Sequence, residues 1–95
     1  MLIIGAGSSD AHARIQVWRR AHPYGYLVNY RSRSNAMIHS SGYCPHLGDT
    51  EWEAGHKNWG SMGNSTKLLS ESRAELEKWA RAETIVLKTC SDCQT

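Results

Sequence analysis

The sequence predicts a small, zinc-stapled α+β domain, ordered as helix, β-hairpin, long loop, helix and short strand, with a Cys-x-x-Cys knuckle at its end. Three observations lead to this prediction. Apolar residues repeat at helical spacing before Pro23, β-forming residues follow that proline, and Cys90 and Cys93 come after the last expected strand. A chain of 95 residues buries only a thin apolar core, so we expect it to need an additional staple.

The domain is expected to span residues 10–95, preceded by a flexible N-terminal segment at 1–9. Ser9 or Asp10 is suited to cap the first helix. This helix should end near His22, because the residue before a proline is forced out of the helical region. The apolar positions at helical spacing, which predict its buried face, are Ala11, Ile15, Trp18 and His22. Three basic side chains lie off that face: Arg14, Arg19 and Arg20.

A β-hairpin is predicted directly after the first helix. Residues 24–30 are rich in β-forming side chains, and a second strand is expected at 37–39. The polar connection between them should present Arg31 and Arg33 to solvent. The hairpin therefore carries basic side chains at its turn.

The remainder of the chain begins with a segment that has no periodicity, residues 40–66. A loop of this length in a small domain is expected to be functional or anchored. Ser72 and Glu75 then fit the capping box of a second helix that ends near Ala82. Residues 85–87 predict the short strand that leads to the Cys-x-x-Cys knuckle.

The strongest chemical motif is the pair Cys90 and Cys93, because two thiolates at this spacing can reach one tetrahedral metal ion. Two further ligands are needed. Cys44 is the remaining thiol, and His39, at the end of the second hairpin strand, is the best-placed imidazole. We therefore predict a Cys3His zinc site, with His46 as the rival to His39 for the fourth position.

Two alternatives to zinc remain for the cysteines. They could be small core residues or a redox pair without metal, or they could hold another metal. A thioredoxin-like motif should open a helix within a βαβ unit, whereas here Cys93 is followed by two residues. Redox catalysis is therefore disfavoured.

The cysteine count also bears on the compartment. Three cysteines cannot all pair in one closed disulfide framework, and Leu2-Ile3-Ile4 is too short for a signal sequence. No stretch approaches the roughly 20 apolar residues of a membrane span. We expect a cytoplasmic protein with no membrane partner.

The basic residues suggest a binding partner. Residues 12–33 contain no Asp or Glu, although the whole chain has a formal net charge of only +2. The arginines of this segment are Arg14, Arg19, Arg20, Arg31 and Arg33. We predict that they contact the phosphates of nucleic acid, DNA more than RNA. The alternative is a basic surface that serves only solubility.

The chain also resembles a small, uncharacterised zinc-binding domain of bacterial, notably actinobacterial, proteins. The residues that carry the resemblance, over about residues 10–93, are Trp18, His22-Pro23-Tyr24-Gly25-Tyr26-Leu27-Val28-Asn29, Ile38-His39, Cys44, Leu76, Trp79-Ala80, Leu87 and Cys90-x-x-Cys93. In that pattern His39, Cys44, Cys90 and Cys93 look like the metal set. Leu68-Leu69 stands where relatives tend to have Val-Cys. Some relatives are linked to HNH nucleases or restriction-like proteins, which implies a defence or DNA-related context and a nuclease as partner protein.

The sequence therefore predicts a non-catalytic zinc module that binds nucleic acid, as an accessory to a DNA-acting or defence system. One rival is a protein-interaction adaptor that uses Trp52, Trp59 or tyrosine residues of the central loop. A second rival is a hydrolase or nuclease that uses His46 or His56. Salt-sensitive DNA binding would separate the first hypothesis from the adaptor.

Overall fold

The computed structural model of this chain describes residues 1–5, 10–40 and 65–90. Within these ranges it has two helices and one five-stranded mixed sheet, so the predicted α+β class is confirmed. In chain order the elements are β1 (Leu2–Ile4), α1 (Ala11–Ala21), β2 (Tyr26–Ser32), β3 (Asn35–Ser40), β4 (Thr66–Ser70), α2 (Arg73–Ala82) and β5 (Leu87–Thr89). No helix in the described ranges is long and apolar enough to cross a membrane.

The strands lie in the order β1-β4-β2-β3-β5. The pairs β1–β4, β4–β2 and β2–β3 are antiparallel, and β5 pairs in parallel with β3. The predicted hairpin is present as β2 and β3, with a register shift between Tyr30 and Ser32. That shift places one extra residue, Arg31, in β2, which is the pattern of a β-bulge.

Two strands of the sheet were not predicted from the sequence. β4 pairs with both β1 and β2, so it lies inside the sheet. β1 falls within residues 1–9, where a flexible segment was expected. That expectation is wrong for Leu2–Ile4, because the strand is paired and Ile4 is 1% exposed. Residues 6–9 lie outside the described ranges.

The helices cover opposite faces of the sheet. On the α1 side, the buried cluster contains Ile4, Ala11, Ile15, Leu27, Leu69 and Cys90. On the α2 side, it contains Val28, Ala36, Ile38, Leu68, Leu76, Ala80 and Ile85. Leu27 and Val28 are adjacent in β2 but belong to different clusters, since successive side chains of a strand point to opposite faces. The result is a three-layer arrangement with the sheet in the middle.

The end of α1 is fixed by a tight turn. The helix runs from Ala11 to Ala21, close to its predicted limits, although the Asp10 side chain makes no capping hydrogen bond with the first turn. The Gly25 N–H donates to the His22 carbonyl at 3.0 Å. Trp18 packs over this turn, and a Cβ atom added at Gly25 would lie 2.5 Å from the Trp18 Cη2 atom. The His-Pro-Tyr-Gly run is therefore explained by packing: Pro23 ends the helix, and Gly25 leaves room for the indole ring.

Helix α2 begins and ends close to its predicted limits. Ser72 Oγ accepts a hydrogen bond from the Glu75 N–H at 3.2 Å, which is half of the expected capping box. The other half is not formed: the Ser72 N–H donates to Ser70 Oγ at 3.0 Å, and the Glu75 carboxylate lies 3.1 Å from the Met1 amine. The hydrogen bond with the Met1 amine is the main reason that the pKa of Glu75 is lowered, and a hydrogen bond with Ser70 is the second.

Candidate functional site

His39 and Cys90, two of the predicted zinc ligands, lie on adjacent strands at the same end of the sheet. Ile38 is in register with Thr89, and the Cys90 N–H donates to the Ile38 carbonyl at 3.1 Å. The next residue along each strand is His39 in β3 and Cys90 after β5. The parallel pairing therefore brings together two residues that are far apart in the sequence.

Both side chains face the α1 side of the sheet. His39 is in register with Leu27, and Leu27 and Cys90 belong to the same buried cluster. His39 is 7% exposed and Cys90 is 2% exposed. An imidazole nitrogen and a thiol are thus held in a protected position, and both are donor atoms that zinc prefers.

The other predicted ligands, Cys44 and Cys93, lie outside the described residues, as does the rival His46. Within the described ranges no group of three or more potential metal ligands is found. The chain lengths are suitable, however, because Cys44 is five residues beyond His39 and Cys93 is three beyond Cys90. At about 3.3–3.6 Å per extended residue, either segment is long enough to return its thiol to the end of the sheet.

Of the five arginines predicted to contact nucleic acid, four are exposed: Arg14, Arg20, Arg31 and Arg33. Arg19 differs from the prediction, because it is 5% exposed and its guanidinium donates to Gln16 Oε1 at 2.8 Å. The reason is a second buried stripe on α1. It runs beside the apolar one and consists of His12, Gln16 and Arg19.

Charge is distributed unequally between the two sides of the sheet. The five strands contain no Asp or Glu, and neither does α1. Helix α2, in contrast, contains Glu75 and Glu77. Elsewhere in the described ranges, Asp10 precedes α1, Glu83 follows α2, and Glu71 contacts His22 beyond the end of α1, with 2.9 Å between Oε1 and Nδ1. Among the described residues, the α1 side is therefore predominantly basic, whereas acidic and basic residues are mixed on the α2 side.

Lys67 is a functional candidate that sequence analysis missed. It lies in β4, on the α1 side, and is 4% exposed. Its Nζ atom donates to Asn29 Oδ1 at 2.9 Å and to the Ser65 carbonyl at 3.3 Å. Removal from water, and to a smaller extent repulsion by Arg31, lowers its pKa to about 8. The sequence feature that could have identified Lys67 is its position directly before the apolar pair Leu68-Leu69.

The outer side of α1 also carries exposed apolar side chains. Ala13, Val17 and Ala21 follow one another at helical spacing and line a shallow groove with Trp18. Val17 is 65% exposed. The tryptophans of the adaptor hypothesis, Trp52 and Trp59, and His56 of the enzyme hypothesis lie outside the described residues.

No family model matches this sequence, and no match is found among curated proteins or solved structures. The function must therefore be argued from the site itself.

Proposed function

We propose that this chain is a small, non-catalytic zinc-binding module that binds nucleic acid through the α1 side of its sheet. The observation that carries the proposal is the separation of charge, within the described ranges, between the two sides of the sheet. The preference for DNA over RNA and the role as an accessory to a nuclease or defence system rest on what the resemblance to the bacterial zinc-binding domain implies, and the cytoplasmic setting rests on the cysteine count.

Zinc binding is supported by the adjacent positions of His39 and Cys90. Cys44 and Cys93 follow these residues closely and would complete a tetrahedral Cys3His set. Such a zinc would tie the end of β3 to the segment after β5, and β5 is a strand of only three residues. The metal would thus act as a structural staple, with all four positions occupied by protein ligands and none left for a substrate.

Nucleic-acid binding is supported by the exposed arginines of α1 and the hairpin. Arg14 and Arg20 project from a helix without acidic residues, and Arg31 and Arg33 lie at the hairpin turn. Guanidinium groups on such a surface attract the phosphate backbone and displace its counterions. Binding of this kind depends strongly on salt and weakly on base sequence.

The test is fluorescence anisotropy with labelled single- and double-stranded DNA and RNA at several salt concentrations. The double variant Arg31→Glu with Arg33→Glu should weaken binding by more than about tenfold and reduce the salt dependence. The matched control is Lys78→Glu with Arg81→Glu, which makes the same charge change at exposed positions of α2. Equal losses in the two variants, or no binding by the wild type at low salt, would refute the proposal.

A protein-interaction adaptor is the second candidate, because Ala13, Val17 and Ala21 leave an apolar strip of α1 exposed to solvent. Val17→Ser should leave nucleic-acid binding unchanged if the arginines are the binding surface. If the wild type does not bind nucleic acid at low salt, this strip becomes the first surface to test against partner proteins.

A further inference from the structure

One end of the α1-facing side of the sheet carries a group of polar side chains, which we call the sheet donor cluster: Asn29, Arg31, Lys67 and Lys88. Lys67 is in register with Asn29, Asn29 with Met37, and Met37 with Lys88. The row therefore crosses four neighbouring strands and consists of Lys67, Asn29, Met37 and Lys88. Arg31 lies two residues beyond Asn29, at the bulge of β2. At about 4.8 Å between strands, the row extends over about 14 Å.

The row lies on the α1 side, as the packing of Met37 and the register of Lys88 establish. Met37 packs against the buried cluster that contains Ile15 of α1. Lys88 is in register with Met37 and therefore lies on the same face of the sheet. Arg31 is close enough to the Lys67 ammonium to lower its pKa. Lys67 and Lys88 are thus on one side, and Arg31, at the bulge of β2, lies near Lys67.

The orientation of the Asn29 amide follows from its contact with Lys67. An ammonium group can only donate hydrogen bonds, so the atom that faces it at 2.9 Å must be Asn29 Oδ1. The Asn29 Nδ2 group therefore points away from Lys67. Asn29 is exposed, as are Arg31 and Lys88. The cluster presents N–H donors to solvent, while its amide acceptor is occupied.

Within the described ranges, no ion pair joins a carboxylate to Arg31, Lys67 or Lys88. Lys67 contacts neutral oxygens, those of Asn29 and Ser65, and β1 contributes the apolar Ile4 beside it. Glu71 lies beyond Ser70, past the opposite end of β4, where it contacts His22. A set of exposed donors above a buried cation, without a neutralising carboxylate among the described residues, is the chemistry that recognises an anion.

We propose that Asn29, Arg31 and Lys88 bind the oxyanion of a phosphate group, with Lys67 beneath them as a positioning residue. The inference rests on the proposed function to the extent that the phosphate is one of a nucleic-acid backbone. Lys67 fixes the Asn29 amide with its donors outward and adds positive charge, while Arg31 and Lys88 approach the anion from either side. Asn29 and Lys88 are thereby added to the binding surface that the arginines define.

The decisive variant is Asn29→Asp. It replaces the outward amide donors with a carboxylate and gives the buried Lys67 a charged partner at the same position. Its melting temperature should equal or exceed that of the wild type, whereas its affinity for a single-stranded DNA 12-mer should fall by at least about tenfold, a loss of about 1.4 kcal/mol. A residue that mattered only for folding could not produce these two changes together.

Lys88→Glu and Lys78→Glu form a matched pair, because both reverse an exposed lysine, on the α1 and α2 sides respectively. Lys88→Glu should weaken DNA binding by about tenfold and Lys78→Glu by less than about twofold. Lys67→Met tests the positioning residue: removal of the buried charge should raise the melting temperature, and loss of amide orientation should still weaken binding.

Two probes distinguish the source of the phosphate. The Asn29 side-chain amide signal is followed by NMR during titration with the DNA 12-mer and, separately, with inorganic phosphate. A shift with DNA that Lys88→Glu reduces or abolishes, together with the loss of DNA affinity in Asn29→Asp, supports the inference and the proposed function. A shift with inorganic phosphate but no DNA binding supports the anion site and refutes the proposed function. DNA binding that Asn29→Asp and Lys88→Glu both leave intact refutes this inference alone, and no response to either probe refutes both.

Discussion

The ring of Trp18 stands over Gly25, so that a Cβ atom at residue 25 would lie 2.5 Å from its Cη2 atom and 3.2 Å from the His22 carbonyl oxygen. The indole therefore occupies the space that any other residue would need. The contact with Gly25 joins the end of α1 to the residue before β2, and the His22 ring packs against the same indole in a tilted arrangement, with 4.5 Å between ring centroids.

Gly25→Ala should consequently destabilise the protein by about 1–3 kcal/mol, since the added methyl group forces Trp18 or the turn to move. The measurement is the unfolding free energy from urea denaturation. Gly5→Ala is the matched control, because no atom lies within 4 Å of the Cβ position there. A similar change in both variants would show that the loss comes from the backbone rather than from the Trp18 contact.

The prediction that this chain binds zinc can be tested by elemental analysis. The purified protein should contain one zinc per chain, and Cys93→Ser should lose it and unfold substantially, since structural zinc contributes roughly 10 kcal/mol or more to small metal-dependent domains. Cys93 is a better choice than Cys90, which is also buried in the apolar cluster. A metal-free wild type, or a variant with unchanged melting temperature, would contradict the prediction.

The fourth ligand is tested by two histidine variants. His39→Ala should reduce zinc affinity by orders of magnitude, while His46→Ala should have a small effect, because only a ligand contributes a bond to the metal. Competition with a chromogenic chelator measures both affinities. Zinc loss in His46→Ala together with retention in His39→Ala would reverse the assignment.

Stability should rise with pH because of Lys67. Its folded-state pKa of about 8 lies below the usual 10.5, so the unfolded chain binds more protons between these values. Below about pH 8 the folded state contains a charged, buried ammonium group, which lowers the free energy of unfolding. This loss of stability disappears as the pH rises from 8 to 10.5. The gain is at most about 3 kcal/mol. Urea denaturation at several pH values should detect the rise in the wild type, and Lys67→Met should abolish it.

Two adjacent residues before α2 should differ in their importance. Ser72→Ala should cost about 1 kcal/mol, because it removes the cap acceptor of the Glu75 N–H. Glu71→Ala should cost less than about 0.5 kcal/mol although its carboxylate lies 2.9 Å from His22, since the Glu71 side chain is 74% exposed. Thermal denaturation of both variants provides the comparison. The reverse order would mean that the His22–Glu71 pair anchors α1.

Sequence analysis predicted the elements that local patterns define. Both helices have identifiable starts and stops, Asp10 and Pro23 for α1 and Ser72 for α2, and the hairpin follows from its β-forming strands. β1 and β4 were missed because their pairing partners are distant in sequence, as Leu2 and Leu69 are. Neither strand has the alternation of a half-buried strand.

For the candidate sites as well, local sequence patterns predicted some of the residues, whereas contacts that depend on strand pairing were missed. His39 was predicted as a ligand because it ends the second hairpin strand, five residues before Cys44, and the parallel register places it on the strand next to Cys90. The contact of Lys67 with Asn29 could not be predicted without the β2–β4 pairing. Arg19 was assigned to the exposed surface because helical periodicity indicates one buried face and does not reveal a second buried polar stripe.

The strand order has a consequence for how this chain reaches its native state. The β2–β3 hairpin is the one pair of neighbouring strands in the described sheet that is also close in sequence, so it closes a short loop. β4, β1 and β5 must each be recruited from a distant part of the chain, and long-range closure has a larger entropic cost. We expect the hairpin to form first and the two edge strands to be added last, so that non-local closure determines the folding rate.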